Sequence, residues 1–319
     1  MKIAFRHVPF TPAQRAELDA LCAAHGCQTL WCAPDQAPDA ALLADCDALM
    51  GYYPMELLAK LPRLRWLQVP CAGVERYCAG VFADDSVVLT NCAGAFGVAI
   101  AEYMITGLLM LMRLMPAYMA NQREKVWRCM GECRSIYGSV ITVVGMGDIG
   151  RRFAHVAKAM GATVRGVRRS PAAPVEDFDE VYTSADLARA VEGADAVALC
   201  LPATDKTRGM VSREVLARMP PDALLVNCGR GVTVDEAALV EALQQGRLGG
   251  AVLDVAAVEP LPADSPLWSM PNVIVTPHIS GHDDDPVNYQ FIFGIFRDNL
   301  QRFLTGRPLQ HVVDRMRGY

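Results

Sequence analysis

What the sequence lacks narrows it first. Its 319 residues contain no block of lysine and arginine, and the formal net charge is −5. Nucleic acid or an anionic membrane surface is therefore not expected as its main partner. No apolar run suffices for a membrane span. The most apolar stretch, 98–113, is bounded by charge at Glu102 and Arg113, and the part between falls short of the ~20 residues a span needs. It reads as a buried helix packed between domains. The opening MKIAFRHVPF has no apolar leader core and no small-residue cleavage site, so no signal peptide is expected. No tandem repeat of fixed period is visible.

Cysteine is plentiful, but its pattern is not that of a disulfide framework. The 11 residues are odd in number and scattered, which suggests free thiols in a reducing, cytoplasmic setting. Cys22, Cys27 and Cys32 are evenly spaced with His25 between the first two, a spacing that suggests a metal site. Cys22 falls inside a helical pattern and Cys27 at its end, so their thiolates need not converge. They are expected to be small core residues, and no metal is expected.

What is present is alternation. Short apolar runs occur at 2–6, 28–31, 47–51, 66–69, 87–90, 140–144, 163–167, 196–201, 223–227, 251–254 and 273–275, with helical patterns between them. Such alternation predicts parallel sheets covered on both faces, an α/β fold. The strand series restarts after the apolar helix, which predicts two units. Residues 121–139 are charged and irregular, as an arm or linker would be. The tail from about 285 is helical with a face of Phe291, Phe293 and Phe296. It is expected to return to the first unit. The expected domains are 1–97 with 285–319 for substrate and 98–284 for the dinucleotide.

One turn carries specific chemistry. VITVVGMGDIGRRFAHVAKAMGATVRGV places Gly145-x-Gly147-x-x-Gly150 between an apolar strand and an amphipathic helix, with a second strand following. That is the context a dinucleotide turn requires. Gly145 permits the tight turn, Gly147 lets the pyrophosphate approach the backbone, and Gly150 allows close helix–strand packing. The helix start, through Asp148 and Ile149, then offers N–H groups to the phosphates. At the end of the second strand an NAD site wants an acidic residue on the ribose hydroxyls. Here the sequence reads Arg168-Arg169-Ser170. Two guanidiniums and a hydroxyl suit a 2′-phosphate, so NADP(H) is preferred, with NAD(H) possible.

Three polar residues lie just past predicted strands: Arg230 in VNCGRG, Glu259 in LDVAAVEP and His278 in VTPHIS. Carboxyl ends of strands are where open α/β sheets bind ligands. With LPATDKTRGM, LLVNCGRGVTVDEAALVEAL, GAVLDVAAVEPLPADSPLW and NVIVTPHIS, these residues make the chain, from about 45 to 310, resemble the D-isomer-specific 2-hydroxyacid dehydrogenases. The resemblance implies two Rossmann-like domains with parallel sheets, an active site in the interdomain cleft, and a homodimer built partly on the helix at 98–120. It implies that Arg230 binds the substrate carboxylate and 2-oxo oxygen, that His278 is the acid–base, and that Glu259 bonds the far imidazole nitrogen and favours its protonated form. In LQVPCAGVERY the backbone N–H groups of Ala72, Gly73 and Val74 would hold the carboxylate. Asp254 matches a position near the nicotinamide carboxamide, and Leu201, Pro202, Thr207 and Cys228 match cofactor-lining positions. Cys228 departs from the usual small Ala or Ser, which raises sensitivity to thiol reagents unless burial protects it. Tyr52 and Tyr53 are expected to narrow the pocket or to pack at its edge.

The implied activity is reduction of a small 2-oxo acid, such as glyoxylate, hydroxypyruvate or pyruvate, to the D-2-hydroxy acid. Phosphoglycerate dehydrogenase fits less well, for want of a regulatory extension and of a further basic group around Cys71. Phosphite dehydrogenase shares the architecture. The rival from another class is a non-catalytic dinucleotide sensor or corepressor on the same fold.

Overall fold

The computed structural model describes residues 1–8, 10–33, 38–78, 80–170, 174–281 and 285–318. The chain divides into two compact units, Met1–Phe96 with Asp283–Tyr319, and Gly97–His282.

The smaller unit is built on β1 (Lys2–Arg6), β2 (Gln28–Cys32), β3 (Ala48–Gly51), β4 (Trp66–Gln68) and β5 (Val88–Thr90), all parallel, in the order β2-β1-β3-β4-β5. β1 lies inside the sheet, between β2 and β3, and its Ile3, Ala4 and Phe5 are wholly buried. The helix Pro12–Ala24 starts at a capping box, Thr11 with Gln14, with proline at its first position, which satisfies two otherwise orphaned N–H groups. The chain end returns as the helix Pro286–Leu304. Phe293 and Phe296 meet Phe10 edge-on, each with ring centroids 5.3 Å away. Asn299 donates to the buried Gln68 Oε1 at 2.8 Å. Phe291, expected on the same apolar face, is 39% exposed; two residues from Phe293 on a helix, it faces away.

β1 continues to β2 on one side and β3 on the other, so the strand order reverses between β1 and β3. Gly51 closes this junction. Its φ is +125°, and a Cβ there would lie 1.7 Å from Arg6 O. Only glycine lets the two strand ends approach so closely. Arg6 Nη1 then donates to Tyr52 O at 2.8 Å.

The larger unit holds β6 (Val140–Val144), β7 (Thr163–Arg168), β8 (Glu180–Thr183), β9 (Ala196–Leu199), β10 (Leu224–Asn227), β11 (Gly250–Leu253) and β12 (Val273–Val275), all parallel, in the order β12-β11-β10-β9-β6-β7-β8. β9, β10 and β11 are buried throughout, which is why they read as continuous apolar runs. β8 was not expected from the sequence. It is a four-residue edge strand, EVYT, with no apolar run to mark it. The apolar helix Gly97–Met112 lies on this sheet, close enough that a Cβ on Gly107 would sit 2.6 Å from Val252 Cγ1. It meets the helix Met115–Arg123 at a 69° bend, and no single helix among the described residues is long and apolar enough to cross a membrane. The order reverses between β6 and β9, and that crevice is where the sequence put its glycine turn.

Candidate active site

The turn after β6 is shaped by its three glycines in different ways. Gly145 has φ +104°, and a Cβ there would lie 2.6 Å from Cys200 O. A Cβ on Gly150 would lie 2.0 Å from Gly145 O. Both are therefore fixed by packing. Gly147 differs: it is the N-cap of the helix Asp148–Ala159, no side chain caps it, and nothing lies within 4 Å of where its Cβ would be. The helix thus presents its first N–H groups, at Asp148, Ile149 and Gly150, toward open space. The Asp148 carboxylate accepts from Arg152 Nε at 3.0 Å and lies against Gly97. This cradle fits a dinucleotide pyrophosphate.

β7 runs beside β6, with Val144 opposite Val167 and Gly145 N–H donating to Val167 O at 3.0 Å. Arg168 ends β7 and Arg169 and Ser170 follow it, all three exposed. On the other side of the turn, a Cβ on Gly229 would be 2.7 Å from both Leu201 N and Leu201 O, so the loops after β9 and β10 meet there. The Thr207 hydroxyl is engaged inside its own loop, donating to Pro202 O at 2.7 Å and accepting from Thr204 N–H at 2.9 Å. The Cys228 thiol is pushed well above its ordinary range by burial, reinforced by the Asp254 carboxylate and Cys200. It is held as an unreactive thiol.

Arg230 follows β10 in a braced turn. Asn227 Nδ2 and the Thr233 hydroxyl donate to Arg230 O at 3.2 and 2.6 Å. Its guanidinium donates from Nη1 to Gly229 O at 2.9 Å. A Cβ on Gly231 would fall 1.9 Å from Ala256 O, so this turn is pressed against the loop that carries Glu259. Glu259 Oε1 accepts from Ala256 N–H at 3.1 Å, and its other oxygen lies 2.9 Å from His278 Nδ1. Both side chains of this pair are nearly half exposed. A pair so exposed adds little stability, about 0–1 kcal/mol; what it fixes is the ring's orientation, with Nδ1 engaged by the carboxylate. A cavity of about 330 Å³ lies beneath the pair, lined by Leu253, Leu267, Trp268 and Val275 among others.

His278 itself has a left-handed backbone, φ +57°, uncommon for a non-glycine residue. Asp254 holds it there. His278 N–H donates to Asp254 O at 2.8 Å. The Asp254 carboxylate, 1% exposed, accepts from Thr276 Oγ1 (2.6 Å), Ile279 N (2.8 Å) and Ser280 N (2.9 Å). The Thr276 hydroxyl has spent its proton on Asp254, so Tyr103, 2.5 Å away, is the donor to it. Burial pushes the Tyr103 phenol up to about 12, which keeps it a donor. The sequence placed Asp254 beside the cofactor; in the structure its carboxylate is occupied in setting the His278 loop. The Tyr103–Thr276–Asp254 chain had no sequence signal, since Tyr103 lies more than 150 residues before the other two.

The smaller unit carries the remaining expected residues. In the loop after β4, Asn91 Nδ2 donates to Ala72 O at 2.9 Å and Tyr77 N–H donates to Val74 O at 2.8 Å. The carbonyls are thus turned inward, and the N–H groups of Ala72, Gly73 and Val74 have no acceptor among the described residues. Tyr52 lines a cavity, whereas Tyr53 is 4% exposed and belongs to the core. Cys22 is buried in its helix and Cys27 is buried just beyond it. All eleven cysteines are free thiols, and no group of three His, Cys, Asp or Glu among the described residues could hold a metal ion.

The profile of the D-isomer specific 2-hydroxyacid dehydrogenase NAD binding domain matches residues 105–280. The chain is 36% identical over 261 residues to the (S)-sulfolactate dehydrogenase of Chromohalobacter salexigens, covering 79% of this chain and 81% of that one. A D-isomer specific 2-hydroxyacid dehydrogenase family protein from Aeromonas salmonicida superposes with TM-score 0.85 at 34% identity, covering 98% of this chain and 99% of that one. The NADPH-dependent glyoxylate/hydroxypyruvate reductase of Sinorhizobium meliloti, solved with NADP and sulfate, superposes with TM-score 0.81 at 28% identity over the whole of both chains.

Proposed function

The chain belongs to the D-isomer-specific 2-hydroxyacid dehydrogenases, NAD(P)-dependent oxidoreductases acting on CH–OH donors, and from that premise we propose that it reduces a small 2-oxo acid to the D-2-hydroxy acid with NADPH. The observation that carries the reading is the Glu259–His278 contact of 2.9 Å, beside the braced Arg230 turn.

The nicotinamide, when bound, supplies the hydride. The protein's own residues do the rest. The N–H groups of Ala72, Gly73 and Val74 hold the substrate carboxylate, and the planar Arg230 guanidinium binds the carboxylate and the 2-oxo oxygen through paired donors. His278 Nε2 gives a proton to the oxo oxygen as C2 is reduced. Glu259 holds Nδ1, so the ring keeps one orientation. In the reverse direction the same imidazole takes the hydroxyl proton. Gly145, Gly147, Asp148, Ile149 and Gly150 would hold the dinucleotide, with Leu201, Pro202, Thr207, Cys228 and Asp254 lining its path.

Arg168, Arg169 and Ser170 support NADP(H) over NAD(H), because no carboxylate stands in that segment to repel a 2′-phosphate. The S. meliloti reductase, solved with NADP, is consistent with this preference. Free thiols throughout support a cytoplasmic setting. A homodimer is supported by Met115, Met119, Val126 and Trp127, all exposed on and just after the bent helix; sedimentation of Trp127→Ala against the parent protein tests it.

Steady-state oxidation of NADPH and NADH against glyoxylate, hydroxypyruvate and pyruvate tests the function. Turnover with a preference for NADPH upholds it. Tight NADPH binding without turnover of any 2-oxo acid contradicts it.

A further inference from the structure

The sheet of the smaller unit has a switch point of its own. Open α/β sheets bind ligands outside the carboxyl ends of their strands, where the strand order reverses. In the order β2-β1-β3-β4-β5 that point lies between β1 and β3. A cavity of about 550 Å³ opens there, within the roughly 300–1,000 Å³ of small-molecule sites. Arg6 and His7 line it from the end of β1, Arg15 from the next helix, Trp31 from β2, Tyr52 just past β3 and Pro70 just past β4.

The described lining carries positive charge at Arg6 and Arg15. No carboxylate belongs to the described lining, and the nearby Asp19 accepts from Trp31 Nε1 at 2.9 Å. Arg15 is built into place: Nε donates to Phe10 O at 3.2 Å, and the guanidinium lies 5.1 Å from the Trp31 ring centroid. That ring stacks on Phe5, centroids 4.4 Å apart. The terminal nitrogens of Arg15 have no acceptor among the described residues. Arg6 is fixed by its bond to Tyr52 O, and Arg76 lies 5.4 Å over the Tyr52 ring. His7 is held at φ +51°, the kind of backbone outlier that gathers at ligand sites.

Two guanidiniums and an imidazole around one aromatic-walled cavity match an oxyanion, which arginine binds through paired donors. Pro70 immediately precedes the 71–74 loop, so the cavity adjoins, within one unit, the N–H groups assigned to the substrate carboxylate. We propose that this cavity takes a second anionic group on the substrate, and that the preferred substrate is a 2-oxo acid whose far end bears a carboxylate or sulfonate. The proposal rests on the reading of the protein as a 2-oxoacid reductase.

The test compares NADPH-driven reduction of pyruvate, oxaloacetate, 2-oxoglutarate and 3-sulfopyruvate by the full chain. At least one acid with an anionic tail should exceed pyruvate at least tenfold in kcat/KM, and the panel separates carboxylate from sulfonate tails. Arg15→Gln, at an exposed position that should fold, and Arg6→Lys should together lower that ratio at least tenfold, mostly through KM. Pyruvate as the preferred substrate, or an unchanged ratio in the variants, overturns the proposal. If no 2-oxo acid turns over, the functional reading has failed, and the cavity is judged by titrating Trp31 fluorescence with succinate, with Trp31→Phe identifying the signal. A saturable change lost in Arg15→Gln upholds an anion site; no saturable change overturns it.

Discussion

The two sheets reverse their strand order in the same way and furnish the resulting crevices differently. Between β6 and β9 the surface is main chain: Gly145, Gly147, Gly150 and Gly229, with a helix start facing open space beside Gly147. Between β1 and β3 it is side chains: Arg6, His7, Arg15, Trp31 and Tyr52. A backbone cradle recognises what every dinucleotide shares, a pyrophosphate, and tolerates no bulk. A crevice of guanidiniums and aromatics recognises what differs between one acid and another. On the proposed reading the chemistry belongs to the first kind, since Arg230, Glu259 and His278 follow strands of the larger sheet, and selection belongs to the second.

The sharpest way to break this division is at His278. His278→Ala should lower kcat by about 10²–10⁴ on every substrate alike, with NADPH binding within about threefold by fluorescence titration. A loss confined to some substrates would put selection in the larger unit. Next is the cofactor's own selector. Arg168→Gln with Arg169→Gln should weaken NADPH about tenfold or more, since charge-assisted bonds contribute ~1.5–3 kcal/mol, and leave NADH nearly unchanged. Equal shifts for both cofactors would remove the 2′-phosphate reading.

Smaller effects separate the glycines. Gly150→Ala must displace Gly145 O and should cost ~1–3 kcal/mol of stability, seen as a lower Tm. Gly147→Ala meets nothing in the protein, so its Tm should stay within experimental error while NADPH binding weakens. Equal Tm losses would mean that Gly147 is packed rather than open. Smallest is the thiol effect. Iodoacetamide at pH 8 should label exposed Cys129, whose thiol is lowered by hydrogen bonds from the Gly131 backbone and the Tyr118 hydroxyl, before Cys228, which burial raises. Early mass-spectrometric labelling of Cys228 would show that its loop opens.

The sequence disclosed the two kinds of crevice unequally, for a physical reason. Strands buried on both faces announce themselves, as Val140–Val144 and Leu224–Asn227 did. The edge strand Glu180–Thr183 does not, because half of it meets solvent. The glycine turn was legible since its ligand-facing atoms are consecutive along the chain. Arg230, Glu259 and His278 were legible from their ordered motifs and their places past three strands. The basic cavity was not, although Arg6 and Tyr52 stood in plain view. Its lining comes from separate elements, and only the strand order brings them together. Had that order been derived from the alternation, the ends of β1 and β3 would have been neighbours and Arg6 a candidate. Asp254 shows a different case: the resemblance implied a place near the nicotinamide, and the three hydrogen bonds its carboxylate accepts are ones that no spacing reveals.

The central claim, that Glu259 and His278 serve proton transfer during reduction of a 2-oxo acid, is tested most directly by following NADPH absorbance with glyoxylate, hydroxypyruvate and pyruvate and resolving the chirality of the products of the latter two. NADPH should be consumed, the products should be D-2-hydroxy acids, and consumption should be lost in His278→Ala. Undiminished turnover in His278→Ala, or no consumption with any 2-oxo acid while NADPH still binds, would contradict it.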